Sequence, residues 1–352
     1  MRRLPQRVAL LLAALPAVAC GDAVEAAPED ARGPSVSFTV MSFNILEGGG
    51  NAAGVGFPDR DFGGSRRDDI AAVIRECRAD LVGVQECGAV EPLLKKLGPG
   101  WQGFGTGQSG YTGAILSRFP LRRLVMEDFL TAAEVELPDG RRIVLVNAHW
   151  WPRSNGGVGL IQQRLRSGDV PADLDQFEAE ILAASDASAG PRGYWHTVER
   201  LRPHLQAGEK VILTGDFNES SHLDWTARAA ATGMDRWVEN PTGRPLRFRV
   251  EWKGSKLLAD LGLRDAYRAA FPDEVAKPGI TWTPRYSAGT PGRRPYPDQV
   301  LERIDMIYFA GEGLEVVRAG VVGEGRETSE IVHAGPWVSD HRAVVATFRL
   351  EE

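Results

Sequence analysis

Short apolar runs that end in an acid, an amide or an imidazole recur along most of this chain. Such a run is typical of a buried β-strand, and a polar residue directly after it lies at the rim of the sheet. Asp340 and His341 stand just before such a run, and Asp305 stands within one. The polar residues that follow the runs are Asn44, Glu86, Asn147, His149, Asp216 and Asn218. A fold that presents so many polar side chains from strand ends must bring the ends of several strands together.

Strand and helix patterns alternate along the chain, and no linker divides its folded part. Strands are predicted at 35–43, 80–85, 114–116, 121–129, 133–137, 142–148, 211–214, 306–309, 315–322 and 343–350. Helices are predicted at 65–78, 173–184 and 195–205, with a Gly-rich loop at 155–159 and mostly helical structure at 225–271. A chain of 352 residues that is 43% hydrophobic can bury a large core. The order of elements predicts one α/β domain with two packed sheets and flanking helices.

The polar residues at the strand ends are of the types that bind a hard cation. Carboxylate and amide oxygens suit Mg²⁺ and Ca²⁺, whereas zinc sites use Cys and His at short spacings. The chain has three cysteines and no Cys–His cluster with zinc spacing. The pattern therefore predicts a hard-cation site suited to phosphate chemistry.

Eight motifs resemble those of the endonuclease/exonuclease/phosphatase family, which includes DNase I-like nucleases, exonuclease III-like repair enzymes, inositol polyphosphate 5-phosphatases and neutral sphingomyelinases. The matching segments are Ser42–Ile45, Val84–Glu86, Gly113–Arg118, Asn147 with His149, Gly215–Asn218, Thr281–Trp282, Arg303–Tyr308 and Ser339–His341. They run in the family's order along nearly the whole chain. The resemblance implies a DNase I-like, four-layer α/β/β/α sandwich whose two sheets are mostly antiparallel.

The resemblance also implies a metal-dependent phosphoric ester hydrolase and a role for each site residue. Glu86 is expected to be the principal ligand of Mg²⁺, or of Mn²⁺ or Ca²⁺, together with Asn44 and Asp340. Asp216 is expected to orient or deprotonate the attacking water, and Asn218 to contact the phosphate. No covalent intermediate is expected, because no Ser, Cys or Thr stands in an activated setting.

The histidines complete the implied machinery. His341 is expected to stabilise the developing charge or to act as the base, with Asp305 fixing its tautomer. Asp216 and His341 both stay candidates for the base. His149 is expected to be a general acid at the leaving oxygen, with bracing of the following loop as the alternative. Expected substrate contacts are Tyr111, Asn147 and Trp282.

The first residues of the chain predict export. Three arginines precede the apolar run Val8–Leu15, which is too short to span a bilayer but suits a signal peptide. The run leads to Cys20, in a segment that resembles the lipobox of bacterial lipoproteins. We expect a signal peptide at 1–19 and a flexible tether at 20–34 behind a lipid anchor, with plain cleavage or an uncut N-terminus as alternatives. The expected location is the outer face of a bacterial membrane, the periplasm or the extracellular space.

Substrate choice is expected to depend on an insertion at about 150–191 within the hydrolase domain, which is assigned to 35–352. The insertion begins beside the site, where Trp150 and Trp151 could form an aromatic wall, or it could pack as a lid. A second candidate wall at 281–297 carries arginines that could bind a second phosphate.

Net charge argues against a tight nucleic-acid binder. The chain carries −6, and removal of residues 1–19 takes away three arginines and no acid, which leaves −9. An acidic protein gains no long-range attraction to a polyanion. We therefore expect a monomeric phosphodiesterase for small phosphoesters, with nucleic acid as a less favoured substrate. The alternatives are a phospholipid- or inositol-phosphate-cleaving enzyme, and an inactive surface binding module.

Some further residues are expected to be structural. Asp265 is expected to cap a helix, and the pair Arg66 and Arg67 to lie on a solvated face. Export permits a Cys77–Cys87 disulfide, but it is not favoured, because one end of a helix and the far end of the next strand are usually too far apart.

Overall fold

The computed structural model describes residues 35–51, 62–107, 112–151, 156–169, 173–188, 192–238, 243, 245–282 and 300–352. The strands are β1 (Val36–Asn44), β2 (Leu81–Gln85), β3 (Gln102–Gly105), β4 (Ala114–Ser117), β5 (Leu121–Glu127), β6 (Leu130–Glu136), β7 (Arg142–His149), β8 (Val211–Asp216), β9 (Arg264–Asp265), β10 (Asp305–Ala310), β11 (Leu314–Gly323), β12 (Ile331–Val332) and β13 (Ala343–Leu350). The helices are α1 (Arg67–Glu76), α2 (Glu91–Leu97), α3 (Gly157–Arg166), α4 (Leu174–Ser188), α5 (Tyr194–Gln206), α6 (Ala227–Thr232), α7 (Lys253–Asp260) and α8 (Ala266–Ala270), with a 3₁₀ turn at Glu47–Gly49.

These strands form two sheets. The first has seven strands in the order β12-β11-β13-β1-β2-β4-β3, and the second has six in the order β5-β6-β7-β8-β10-β9. Among the described residues, the parallel neighbours are β1–β2, β7–β8 and β11–β12, and the other neighbours are antiparallel. The predicted DNase I-like α/β architecture is confirmed.

Three apolar clusters hold the four layers together. Alternation in β1 divides its side chains between two of them: Phe38 and Val40 face the other sheet, whereas Met41 and Phe43 face α1 and α2. A third cluster packs the outer face of the second sheet against α5 and α7. Each layer therefore buries its apolar face against the next, as the apolar runs in the sequence predicted.

The sheets approach each other most closely at Gly83 of β2. A Cβ atom there would lie 1.9 Å from Thr214 Oγ1 and 2.6 Å from Asn147 Oδ1. Around this point the interface is polar: Gln85 Nε2 donates to Asn147 Oδ1 at 2.6 Å, and Thr214 Oγ1 donates to the same oxygen at 3.1 Å. Hydrogen bonds rather than side-chain bulk set the spacing of the sheets here.

The insertion contributes a fourth, aromatic-rich cluster. Its members come from α3, α4 and neighbouring segments and are Ile161, Phe177, Ile181, Trp225, Trp237, Leu246, Phe248, Val250, Trp252 and Val300. The expected Gly-rich loop at 155–159 is partly helical, because α3 begins at Gly157, where a Cβ would meet Ser185 Oγ at 2.6 Å. A side chain at that position would separate α3 from α4.

The prediction of mostly helical structure at 225–271 is wrong for its middle part, because α6 ends at Thr232 and α7 begins at Lys253. Buried and exposed residues alternate strictly from Leu246 to Trp252, a period of two that indicates extended chain. In the described part of the chain, no helix is both long and apolar enough to cross a membrane.

Candidate active site

Two of the parallel strand pairs, β1–β2 and β7–β8, explain why the predicted site residues meet. In the register of β1 and β2, Asn44 pairs with Gln85, so Glu86 follows directly beside it. In the register of β7 and β8, His149 pairs with Asp216. Parallel neighbours end at the same edge of a sheet, and both edges lie at one rim of the sandwich.

Asp216 is the centre of this arrangement. Its Oδ2 accepts a hydrogen bond from Asn44 Nδ2 at 2.9 Å and lies 3.5 Å from His149 Nε2 and 3.7 Å from His341 Nε2. Its Oδ1 accepts the backbone N–H of Asn218 at 3.0 Å. One carboxylate oxygen therefore faces an amide and two imidazoles, and all of these side chains except that of Asn218 are buried.

His341 and Asp305 form a buried pair. The distance from His341 Nδ1 to Asp305 Oδ2 is 2.9 Å, and Thr281 Oγ1 accepts the backbone N–H of Asp305 at 3.1 Å. Burial alone would lower the pKa of His341, but the carboxylates of Asp305 and Asp216 outweigh it and raise this pKa to about 10. Burial raises the pKa of Asp305 to about 6, although the His341 charge opposes the change. At neutral pH the pair is an imidazolium and a carboxylate, with Nε2 turned towards Asp216.

Glu86 and Asn44 lie together, as a shared metal site requires. Asn44 Nδ2 donates to Glu86 Oε1 at 3.2 Å, and the backbone N–H of Glu47 donates to Glu86 Oε2 at 3.0 Å. Burial raises the pKa of Glu86; the neighbouring His149 opposes this change, and the carboxylate of Asp340 adds to it. The half-buried Glu86 and the buried Asp340 destabilise each other's charge, and together with the amide of Asn44 they form a donor set that fits a hard divalent cation.

A second set of potential ligands overlaps the histidine pair. Ligand atoms of Asp216, Asp305 and His341 lie within 4.8 Å of one another. We interpret this set as catalytic rather than metal-binding, because His341 Nδ1 is engaged by Asp305 at hydrogen-bond distance. The set around Glu86 offers more oxygen ligands, which hard cations prefer.

Backbone strain is concentrated at the rim. Among the described residues, those other than glycine with positive φ are Leu46, Glu47, Arg78, Glu86 and Asn218. All but Arg78 lie beside the site. Strained backbone persists where the surrounding structure enforces it, and such positions cluster at active sites.

Arg66 is a supporting residue that sequence reasoning placed wrongly. It is buried rather than solvated, and its guanidinium donates to the carbonyl oxygens of Ile45, Gly50 and Val338, as well as to that of Leu46. These carbonyls belong to the loop after Asn44 and to the loop before Asp340. Backbone acceptors leave no signal in a sequence, so the bridge between the two loops was not predictable.

The expected substrate contacts have different outcomes. Tyr111 lies outside the described residues. Asn147 is reassigned from a substrate contact to a bridge between the sheets, since it is fully buried and its Nδ2 donates to the carbonyls of Val84 and Ala114. The ring of Trp282 is half-buried, and its centroid lies 6.5 Å from that of His341.

The remaining structural expectations are met in part. Asp265 caps α8 by accepting the backbone N–H groups of Tyr267 and Arg268, as predicted. It also pairs with the buried Arg303 at 2.7 Å. No disulfide joins Cys77 to Cys87.

An open pocket of about 50 Å³ lies beside Asn218, between the rim and the insertion. Its walls include Trp150, Trp151, Val158 and Glu219. Trp150 is almost fully buried, with its ring edge-on to that of Phe217, so only Trp151 of the two tryptophans retains appreciable exposure.

A two-sheet sandwich that gathers carboxylates, amides and two imidazoles at one rim has the architecture of a class of phosphoester hydrolases. The chain belongs to the Endonuclease/Exonuclease/phosphatase family, whose family model it matches over residues 41–341. Members of this family are phosphoester hydrolases.

Individual proteins similar to this chain agree with that membership. A protein of Caenorhabditis elegans described as uncharacterized protein F14F9.5 is 27% identical over 283 residues, which are 77% of this chain and 78% of that protein. Two solved structures share the fold. An endonuclease/exonuclease/phosphatase from Beutenbergia cavernae has a TM-score of 0.50 at 19% identity, over 90% of this chain and 72% of that one. A family protein from Bacteroides thetaiotaomicron has a TM-score of 0.52 at 16% identity, over 91% of this chain and 100% of that one.

Proposed function

We propose that this protein is a divalent-metal-dependent phosphodiesterase in which water attacks phosphorus directly. The observation that carries the proposal is the single oxygen of Asp216 that faces Asn44, His149 and His341. A carboxylate in this setting can hold a water molecule by accepting its proton, while two imidazoles stand on either side of the reacting group.

Glu86, Asn44 and Asp340 would hold the cation, for which Mg²⁺ or Mn²⁺ fits the oxygen-rich donor set. When bound, the ion would supply positive charge for the phosphate oxygens and orient the phosphate. Its charge would also offset the repulsion between the carboxylates of Glu86 and Asp340.

The protein's own residues account for the proton transfers. Asp216 orients the water and accepts its proton, and the protonated His341 stabilises the charge that develops on the phosphoryl oxygens. Asp305 accepts the Nδ1 proton of His341 and so holds the imidazolium in the orientation that directs Nε2 at the reaction. His149, whose Nε2 lies 3.5 Å from Asp216 Oδ2, would protonate the leaving oxygen.

The proposed substrates are small, scavenged phosphodiesters outside the cytoplasm. The insertion lines the pocket beside Asn218, and we propose that it contacts the part of the substrate that is not hydrolysed. The chain's acidity favours small substrates over long polyanions. Cys20 and the N-terminal segment are proposed to anchor the enzyme to a membrane, which metabolic labelling with a fatty acid would test in the wild type and in Cys20→Ala.

Hydrolysis of bis-p-nitrophenyl phosphate tests the central proposal. We expect activity with Mg²⁺ or Mn²⁺, its loss on adding EDTA, and a fall on the order of a thousandfold in Glu86→Gln and in His341→Asn. His204→Asn is a matched control, because His204 pairs with Glu209 at the end of α5 and should keep full activity. Full activity of Glu86→Gln or of the EDTA-treated enzyme would refute the site assignment.

A further inference from the structure

An arginine beside the proposed site is held between two aromatic rings. The guanidinium carbon of Arg192 lies 4.6 Å from the ring centroid of Phe129 and 5.3 Å from that of Trp151. The two rings meet edge to face, with centroids 5.4 Å apart. A guanidinium against two rings loses rotational freedom, while its N–H edges stay available to an oxygen anion.

Backbone hydrogen bonds fix these three residues next to His149. The N–H of His149 donates to the carbonyl of Phe129 at 2.9 Å, and the N–H of Trp151 donates to the carbonyl of Arg192 at 3.1 Å. Trp151 also follows His149 by two positions in the chain. The cation is therefore anchored beside the residue proposed to protonate the leaving group.

Arg192 is exposed, and no carboxylate of the described residues pairs with it. Glu127, two residues before Phe129 at the end of β5, is already engaged by Arg200 and by His196, the latter at 2.5 Å. Some exposed arginines elsewhere, such as Arg118, are paired with acids. The positive charge of Arg192 at the rim therefore has no carboxylate partner among the described residues, although the chain is acidic overall.

We propose that Arg192 binds a second phosphate of the substrate, on the side of the reacting phosphodiester where His149 lies. The planar guanidinium can donate two parallel hydrogen bonds to a phosphate, and its two rings orient it before the substrate arrives. The substrate class is a phosphodiester that carries a further phosphate group. This inference rests on the proposed function, because it assigns a subsite of the same active site.

Two matched substrates test the inference: the p-nitrophenyl ester of thymidine 5′-phosphate, with and without a 3′-phosphate. The wild type should have a kcat/KM on the order of tenfold higher for the ester with the 3′-phosphate, mainly through KM. Arg192→Gln should bring the ratio close to one, and Arg192→Lys should give an intermediate ratio, since lysine keeps the charge but loses the planar fork.

Arg200→Gln is the matched control, because Arg200 is a nearby exposed arginine that is neutralised by Glu127; it should keep the wild-type ratio. Hydrolysis of bis-p-nitrophenyl phosphate is measured in parallel and should not change in Arg192→Gln. A ratio near one in the wild type, or an unchanged ratio in Arg192→Gln, overturns the inference while that parallel activity stands. Absence of the parallel activity in the wild type would instead count against the proposed function.

Discussion

The two ends of the interface between the sheets are held together in different ways. Away from the site, Phe348 packs against Phe38 and Phe309 with ring centroids 5.9 Å and 5.4 Å apart. Towards the rim, Asn147 joins the sheets through hydrogen bonds with Gln85 and with the carbonyl of Val84. Apolar packing is non-directional and tolerates small shifts, whereas hydrogen bonds fix distances and angles. The apolar end therefore supplies stability, and the polar end supplies the positions that chemistry requires.

The largest effect is expected from Asp216→Asn at the polar end. The substitution keeps the shape of the side chain and removes the proton acceptor, so activity should fall about a thousandfold. Because it also removes a charge buried beside other carboxylates, the melting temperature should stay the same or rise. Turnover of bis-p-nitrophenyl phosphate and thermal unfolding measure both effects.

Asp80→Asn is the control for that experiment, since Asp80 lies at the opposite end of β2 and forms a partly exposed pair with Arg118. It should leave turnover unchanged. If Asp216→Asn lowered stability as strongly as activity, the assignment of stability to the apolar end and of catalysis to the polar end would be wrong.

The reverse pattern is expected from Phe348→Ala at the apolar end. Loss of a fully buried ring should lower the free energy of unfolding by about 3–5 kcal/mol. Turnover per folded molecule should stay close to that of the wild type, because the residue lies far along β13 from His341. Urea unfolding and active-site-normalised kinetics provide the measurements, with Phe348→Leu as a milder control. A specific loss of turnover in the folded variant would contradict the comparison.

Arg66→Lys tests how the polar end is supported. A lysine cannot reach all the carbonyls that the guanidinium binds, so the free energy of unfolding should fall by about 2 kcal/mol. The Mg²⁺ concentration for half-maximal activity should rise, since the loops that carry Asn44 and Asp340 lose their bridge. Arg67→Lys removes one partly exposed bond to Gly48 and should change neither quantity. An unchanged Mg²⁺ requirement in Arg66→Lys would limit Arg66 to a role in stability.

The smallest effect is expected from Glu302, a buried carboxyl that accepts a hydrogen bond from Ser220 at 2.8 Å. Burial raises the pKa of Glu302 from its ordinary value of 4.5 to about 8. Between these two pH values, the folded state keeps a proton that the unfolded chain releases. The stability that this bound proton contributes is therefore complete below about pH 4.5 and is lost as the pH rises through about 8. A tenfold change in proton affinity corresponds to about 1.4 kcal/mol, so the wild type should lose at least that much between pH 5 and 8.

Glu302→Gln should flatten this dependence, and urea unfolding at several pH values measures the slope. Equal slopes in the wild type and the variant would show that Glu302 is not the titrating group.

The sequence predicted the polar end better than the surroundings that support it. Asn44, Glu86, His149 and Asp216 could be found because each directly follows an apolar run, and strand ends meet at a rim. Asn147 also follows an apolar run, yet it lies between the sheets. It shares a face of β7 with His149 but stands two residues before the strand end, where the carbonyls of Val84 and Ala114 accept its amide N–H groups.

Other features depend on long-range contacts that no local pattern records. The burial of Arg66 depends on carbonyl oxygens from two distant loops. The position of the Arg192 guanidinium depends on the ring of Phe129, directly before β6, and on the ring of Trp151, at the start of the insertion. The strand-like alternation before Trp252 was present in the sequence, but the surrounding helical signals obscured it.

The missing side chain at Gly83 links two distant positions of the sequence. With 1.9 Å between an added Cβ and Thr214 Oγ1, residue 83 cannot be enlarged alone without separating the sheets. An alanine there would also meet Asn147 Oδ1 at 2.6 Å, so it needs both a smaller residue 214 and a shift of that amide. Positions 83 and 214 should therefore behave as an epistatic pair in a mutational library, with the double change less harmful than the two single changes added together.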